Sequence, residues 1–194
     1  MTGPIIDTNI SLSRWPTRRL PLDETAKLVE KLLSRGVVEA WAGSFDSLLH
    51  KDIAAVNAAL AEECAAHTAL RLVPFGAINP ALPDWEEDVR RCAEVHKMPG
   101  IRLYPNYHNY ELTAPGFAGV LKAAAERKLI VQLTVLMEDE RMMHPRLRVP
   151  NVNIKPLVEI VKQTPGLKLV LRNALKTAKG EELATLTQAG DVSV

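Results

Sequence analysis

The sequence predicts an α/β fold in which parallel strands alternate with helices and curl into an incomplete (β/α)8 barrel of about six to seven βα units. Three observations predict it. Apolar, β-branched runs begin near Pro4, Val37, Leu70, Gly100, Leu129 and Leu167, a recurrence of roughly thirty-odd residues, the length of one βαβ unit. Amphipathic stretches fill the gaps, as the crossovers of parallel strands require. Several of the runs are apolar nearly throughout, as strands buried on both faces are. With 194 residues, 47% hydrophobic and 24% charged, the chain reads as one domain over 1–194.

Each element has a local reason. Strands are expected at 5–10, 37–42, 70–78, 100–104, 130–136 and 167–171. Asp23 is expected to cap the first helix, whose Leu28, Val29, Leu32 and Leu33 share a face and which stops at Gly36. Asp52 is expected to cap the second, where Ile53, Val56, Leu60 and Cys64 recur at helical spacing. Asp84 and Glu87 have the spacing of a capping box for the third, with Trp85, Val89 and Cys92 as its buried stripe. The fourth runs over about 115–127 with Phe117, Val120, Leu121 and Ala124 facing in. The fifth carries Leu157, Val158 and Val161 and ends at Pro165-Gly166. The sixth, about 180–189, stops at Gly190, and Asp191 to Val194 read as the start of a seventh strand.

Two architectures accommodate these units. An open doubly wound sheet usually carries a glycine-rich phosphate turn after its first strand, and Ser11 to Pro16 contain no glycine. A closed barrel takes about 250 residues, so the chain is expected to lack its last strands. Its open sheet edges are then expected to invite self-association into a homo-oligomer.

A net charge of +1, with acidic and basic residues interleaved, argues against nucleic acid or an anionic membrane as partner. No apolar run approaches the roughly 20 residues that span a bilayer. The opening Met1-Thr2-Gly3-Pro4 lacks the pattern of a secretory signal, and Cys64 and Cys92 are expected to be buried and reduced, so a cytoplasmic address is expected.

In parallel α/β folds the reacting groups lie beyond the C-terminal strand ends. His67 and His96 fall at helix ends, where the dipole favours them. His50, His108 and His144 follow strands two, four and five, on the face where a site forms. Asn9, Ser11, Ser44, Asp46, Asn79, Arg102, Tyr104, Asn106, Gln132, Thr134, Glu138, Arg172 and Asn173 share that address. Asn9, Arg102, Gln132 and Asn173 interrupt apolar runs, and a polar residue facing a barrel lumen must find partners or bind something. Both readings stand: a satisfied polar layer, or a ligand site. Arg102 is expected to demand an anion, with Glu138 as one internal candidate. Trp15 and Tyr104 offer aromatic walls for a small organic ligand. No Gly-x-Ser-x-Gly elbow, phosphate-binding Walker loop or Cys-x-x-Cys pair occurs.

Four segments, Ile6 to Ser11, Val73 to Pro80, Pro99 to Pro105 and Leu167 to Ala174, together resemble the amidohydrolase-related family of TIM-barrel metal-dependent hydrolases. The resemblance implies a TIM-type barrel holding one or two divalent metals, commonly zinc, that activate water against C–N or C–O bonds; some members decarboxylate instead. In that frame Asn9 and Ser11 stand at the His-x-His pair of strand one, and Asn173 stands at the histidine of strand six. Strand five carries Gln132 and Thr134 and no histidine, and the family's strand-eight aspartate lies beyond residue 194. Neutral amide and hydroxyl oxygens are poor zinc ligands, so no metal ligand set and no cofactor are expected.

The resulting expectation is an amidohydrolase-like enzyme that hydrolyses a small carboxylated or lactone-like substrate. Arg102, Tyr104, Trp15 and Glu138 are expected to hold the substrate, His108 or His144 to move protons, and Asn9 and Asn173 to orient substrate or water. The rival expectation is a non-catalytic barrel, a pseudoenzyme or gene fragment, that binds a ligand or a partner.

Overall fold

The computed structural model describes residues 3–194, so Met1 and Thr2, the start of the segment weighed as a secretory signal, lie outside the described residues. Seven strands form one sheet: β1 (Ile5–Leu12), β2 (Val37–Ser44), β3 (Arg71–Ala77), β4 (Gly100–Leu103), β5 (Ile130–Thr134), β6 (Lys168–Arg172) and β7 (Asp191–Ser193). They pair in sequence order and every pair is parallel. Between them lie α1 (Thr25–Leu33), α2 (Ile53–Ala66), α3 (Trp85–Arg90), α4 (Pro115–Glu126), α5 (Leu157–Lys162) and α6 (Gly180–Ala189). The expected incomplete (β/α)8 barrel is the fold, with β1 and β7 as its two edges. No helix among the described residues is long and apolar enough to cross a membrane.

The pleat sorts each strand into two faces. Ile10 and Leu12 on β1, with Ala40 and Ala42 on β2, pack against Val29 of α1 and Leu60 and Cys64 of α2. Ile101, Leu103, Val131, Leu133, Leu169 and Leu171 pack against Phe117, Val120 and Leu121 of α4 and Leu157 of α5. The alternate residues face the lumen, which is why the polar interruptions of the sequence meet there. Cys64 and Cys92 are free and buried, and burial pushes both thiols up to about 12.

The helix caps were only partly legible. The Asp52 carboxylate accepts from Ala55 N at 2.9 Å, as its position predicts. Gly36 ends α1 with φ +79°, and Gly166 turns the chain into β6 with φ +81°. Asp23 does not cap α1: Glu24 holds the cap position without a side-chain bond, and Asp23 is drawn to Arg19 instead. Asp84 likewise makes no capping bond. The Glu87 carboxylate accepts from Arg90 and Arg91, so the expected box is replaced by ion pairs along one helix face.

Candidate substrate site

The lumen holds two tiers of polar side chains. In the lower tier Arg102, on β4, is fully buried. Its Nε donates to Gln132 Oε1 at 2.6 Å, and its two terminal nitrogens donate to the carbonyls of Ile10 at 2.6 Å and Trp41 at 2.7 Å. Gln132 in turn donates to the Thr8 carbonyl at 2.9 Å. These bonds explain an irregularity in β1, whose register against β2 shifts between Asp7 and Ile10. The strand gives up ladder regularity there, and its Thr8 and Ile10 carbonyls are met across the lumen by side chains of β4 and β5. Gly43 is part of the same fit, since a Cβ there would lie 2.5 Å from a terminal nitrogen of Arg102.

Burial pushes the Arg102 guanidinium down to about 9, with the charge of Arg172 adding to the effect, so it still carries its proton at neutral pH. Tyr104 packs beside both arginines. Burial alone would raise its hydroxyl, but the charges of Arg172 and Arg102, together with hydrogen bonds to Ser47 and Arg172, outweigh that and hold it below its ordinary value.

The upper tier forms the barrel mouth. Arg172, at the end of β6, is 5% exposed. Its Nε donates to Asn9 Oδ1 at 2.7 Å, a terminal nitrogen donates to the same oxygen, and the other terminal nitrogen donates to Thr134 Oγ1 at 3.0 Å. Asn9 Nδ2 donates to Asn173 Oδ1 at 3.1 Å, and Asn173 Nδ2 to the Leu136 carbonyl at 2.7 Å. Asn173 sits in the left-handed region at φ +57°, which asparagine tolerates better than most residues. Side chains 163 residues apart in sequence thus link β1 to β6 across the open side of the barrel.

Above this network opens a cleft of about 370 Å³, lined among others by Asn9, Trp15, Phe45, Glu138, Arg172 and Asn173. Trp15 meets Phe45 edge-on with ring centres 5.1 Å apart. Arg18 lies over the Trp15 ring and pairs with Glu138, which ties the loop after β1 to the loop after β5 at the rim.

Of the eight residues read from the sequence as the site, the structure brings Asn9, Trp15, Glu138 and Asn173 to one cleft. The other four lie outside the lining of that cleft. Arg102 lies beneath the cleft and meets neutral oxygens rather than an anion: its hydrogen bonds run to the Gln132 amide, the Ile10 and Trp41 carbonyls and the Ser11 hydroxyl. Glu138 is accordingly not its partner and pairs with Arg18. Tyr104 is 2% exposed and packs in the floor with Leu48, Ile53 and Ala77. His108 is buried behind that floor, its Nε2 2.8 Å from the Ser47 carbonyl, so its ring does not reach the cleft. His144 stands exposed on the long loop after β5, its Nδ1 accepting from Arg146 N, away from the cleft lining.

Arg172 was visible in the sequence only as one polar strand-end residue among many. Its distinguishing property, a buried guanidinium facing a cleft with no carboxylate bonded to it, depends on Asn9 and Thr134 arriving from other strands. Arg18 gave no local signal at all, since it belongs to an irregular loop.

The mouth is a poor fit for a divalent metal. The side chains that meet at β1 and β6 are two amides, and the Asn9 oxygen already accepts from a guanidinium. A divalent ion ~5 Å from that fixed charge would meet roughly 6–7 kcal/mol of repulsion at an effective dielectric of ~20. Among the described residues no group of three or more His, Cys, Asp or Glu side chains is arranged to hold a metal ion.

Comparison with known proteins agrees with the barrel. A family model described as amidohydrolase matches residues 11–174. The structure resembles 5-carboxyvanillate decarboxylase from Sphingomonas paucimobilis, with TM-score 0.66 and 14% identity over 87% of this chain and 67% of that one. It also resembles 2,6-dihydroxybenzoate decarboxylase from Rhizobium, with TM-score 0.58 and 15% identity over 89% and 73%. A third likeness is to amidohydrolase 2 from Bifidobacterium longum subsp. infantis, with TM-score 0.61 and 17% identity over 98% and 71%. At such identities these likenesses speak for the fold. No curated protein matches the sequence.

Proposed function

We propose a small-carboxylate site at the mouth of this barrel, on the premise that the chain belongs to the amidohydrolase family. One observation carries the reading: Arg172 is a buried guanidinium at the cleft floor, held by the neutral oxygens of Asn9 and Thr134. Asn9 and Thr134 take three of its five N–H groups and Tyr104 packs beside it, so the guanidinium keeps donor capacity where it lines the cleft, and a carboxylate is the group that pairs best with it. Trp15 and Phe45 supply apolar wall for the body of the ligand, and about 370 Å³ suits a single substituted ring or a compound of that size. The decarboxylases named above act on aromatic carboxylates, which supports the same ligand class here.

Benzoate is the direct probe. Titration of the protein with benzoate is expected to give saturable binding by calorimetry and a raised melting temperature, and benzyl alcohol, its neutral counterpart, is expected to give neither. Arg172→Gln is expected to weaken benzoate by about tenfold or more, the worth of a hydrogen bond to a charged group. Equal affinity for benzoate in the wild type and Arg172→Gln would remove Arg172 from the role.

Turnover is the second reading, and the position of Glu138 favours it. It lines the same cleft as Arg172 and pairs with Arg18, a place from which a general acid or base would serve hydrolysis of a lactone or ester or protonation after loss of CO2. A panel of aryl carboxylates, lactones and esters tests it; release of CO2 or acid that vanishes in Glu138→Gln supports turnover. A panel with no product leaves the barrel as a ligand-binding member of its family.

A further inference from the structure

We infer that the Arg172 guanidinium is the resident cation of this barrel, a fixed charge at the junction of Asn9 and Asn173 that excludes a divalent ion from it. The inference goes beyond carboxylate recognition, because it concerns what the mouth rejects, and it stands or falls on different measurements.

The geometry is specific. Asn9 and Asn173 lie within 3.1 Å of each other, close enough for two side chains to share one ion, yet the Asn9 oxygen that would face such an ion accepts from Arg172 at 2.7 Å. Arg102 adds a second buried positive charge in the tier below. The carboxylates around the lumen are occupied elsewhere: Glu138 pairs with Arg18, Asp139 with Arg141, and Asp7 accepts from the backbone N–H of Asn9. The lumen therefore presents two cations whose hydrogen bonds run to neutral oxygens, an arrangement that welcomes an anion and repels a metal. The guanidinium is also tethered to β6, so it is neither lost to chelators nor exchanged.

Co2+ is the probe, because its visible absorption reports tetrahedral coordination without any need for activity. The wild type, equilibrated with Co2+ and desalted, is expected to retain none. Two variants then separate ligand type from charge. Asn9→His/Ser11→His/Asn173→His supplies imidazoles at the three positions, and residue 173 keeps a side chain that tolerates its positive φ. With Arg172 still present this variant is expected to refuse Co2+; with Arg172→Gln added it is expected to take one equivalent and show the absorption bands. Stoichiometric Co2+ in the wild type, or in the three-histidine variant with Arg172 intact, overturns the inference. So does a folded four-fold variant that still refuses the ion. If circular dichroism shows that the four-fold variant does not fold, Arg172→Gln alone decides: its weak affinity for Mn2+, read from the paramagnetic signal of the free ion, must exceed that of the wild type by at least about tenfold, and equal affinities overturn the inference. Benzoate binding by the wild type is scored separately, so a failed carboxylate site and a failed metal exclusion are told apart.

Discussion

Arg102 and Arg172 are the same residue type, both on lumen-facing strand positions, both buried, and neither bonded to a carboxylate. They nevertheless do different things. Arg102 is fully buried, and its donors end on Gln132, Ile10, Trp41 and Ser11. Arg172 sits one tier higher, where the same kind of neutral cradle is open on one side to the cleft. A buried guanidinium without an anion is therefore not by itself a binding site. What decides is whether its remaining donors face protein or space.

The contrast is broken most sharply by Arg102→Met. It strands the Gln132 oxygen and two carbonyls in a dry lumen and releases β1 from β4, so a loss of about 3–5 kcal/mol in urea-measured stability is expected. Arg102→Lys is not expected to restore it, since one ammonium cannot reach three separated acceptors. A loss below about 1 kcal/mol would mean that the lower tier is not what closes the barrel.

Gly43→Ala comes next. The added methyl would fall 2.5 Å from one Arg102 nitrogen and 2.7 Å from its Cδ, and that side chain is fully buried and held by three short hydrogen bonds it would have to give up to withdraw. Overpacking of this kind costs about 1–3 kcal/mol, again read by urea titration, and benzoate binding at the upper tier should change less than stability does.

The closed tier is also expected to show in pH dependence. Burial holds the His108 imidazole below its ordinary value, the bond to the Ser47 carbonyl opposing but not cancelling the shift. The unfolded chain then takes up its proton first as pH falls. The contribution of His108 to stability is complete above about pH 6.5 and is lost as pH drops through the lower, folded-state value, by at most ~1.4 kcal/mol per pH unit. His108→Gln should flatten that part of the curve between pH 7.5 and 5; an unchanged slope would show that the ring is not shielded as its burial implies. The smallest effect is expected from Arg18→Gln, which removes a rim ion pair. Arg18 is exposed but the Glu138 side chain is only 7% exposed, so the stability cost should be about 1–2 kcal/mol by thermal melting, and a value of about 3 kcal/mol or more would place the rim with the closed tier rather than the open one.

What was legible in the sequence followed from local rules. The strand and helix order, the faces that pack on helices, the Asp52 cap and the stop at Gly36 are all set by residues a few positions apart, where periodicity and backbone preference act directly. The four polar interruptions, Asn9, Arg102, Gln132 and Asn173, also announced that something polar fills the lumen. The placement of the histidine rings was not legible, for the converse reason. His108 and His144 have the right address after strands four and five, but a strand-end address fixes the rim and not the direction of a ring, and His108 turned inward toward Ser47.

The sequence by itself determined that this chain alternates strands and helices, that its strands are parallel, and that polar groups interrupt their inner faces. Only the tertiary structure decided which arginine is sealed and which is open, because the partners involved, Ile10 with Arg102 and Asn9 with Arg172, are separated by 92 and 163 residues. Such pairs come together only when the sheet curls. At that point the position of a donor relative to water, rather than its identity, fixes whether it holds the fold or a ligand.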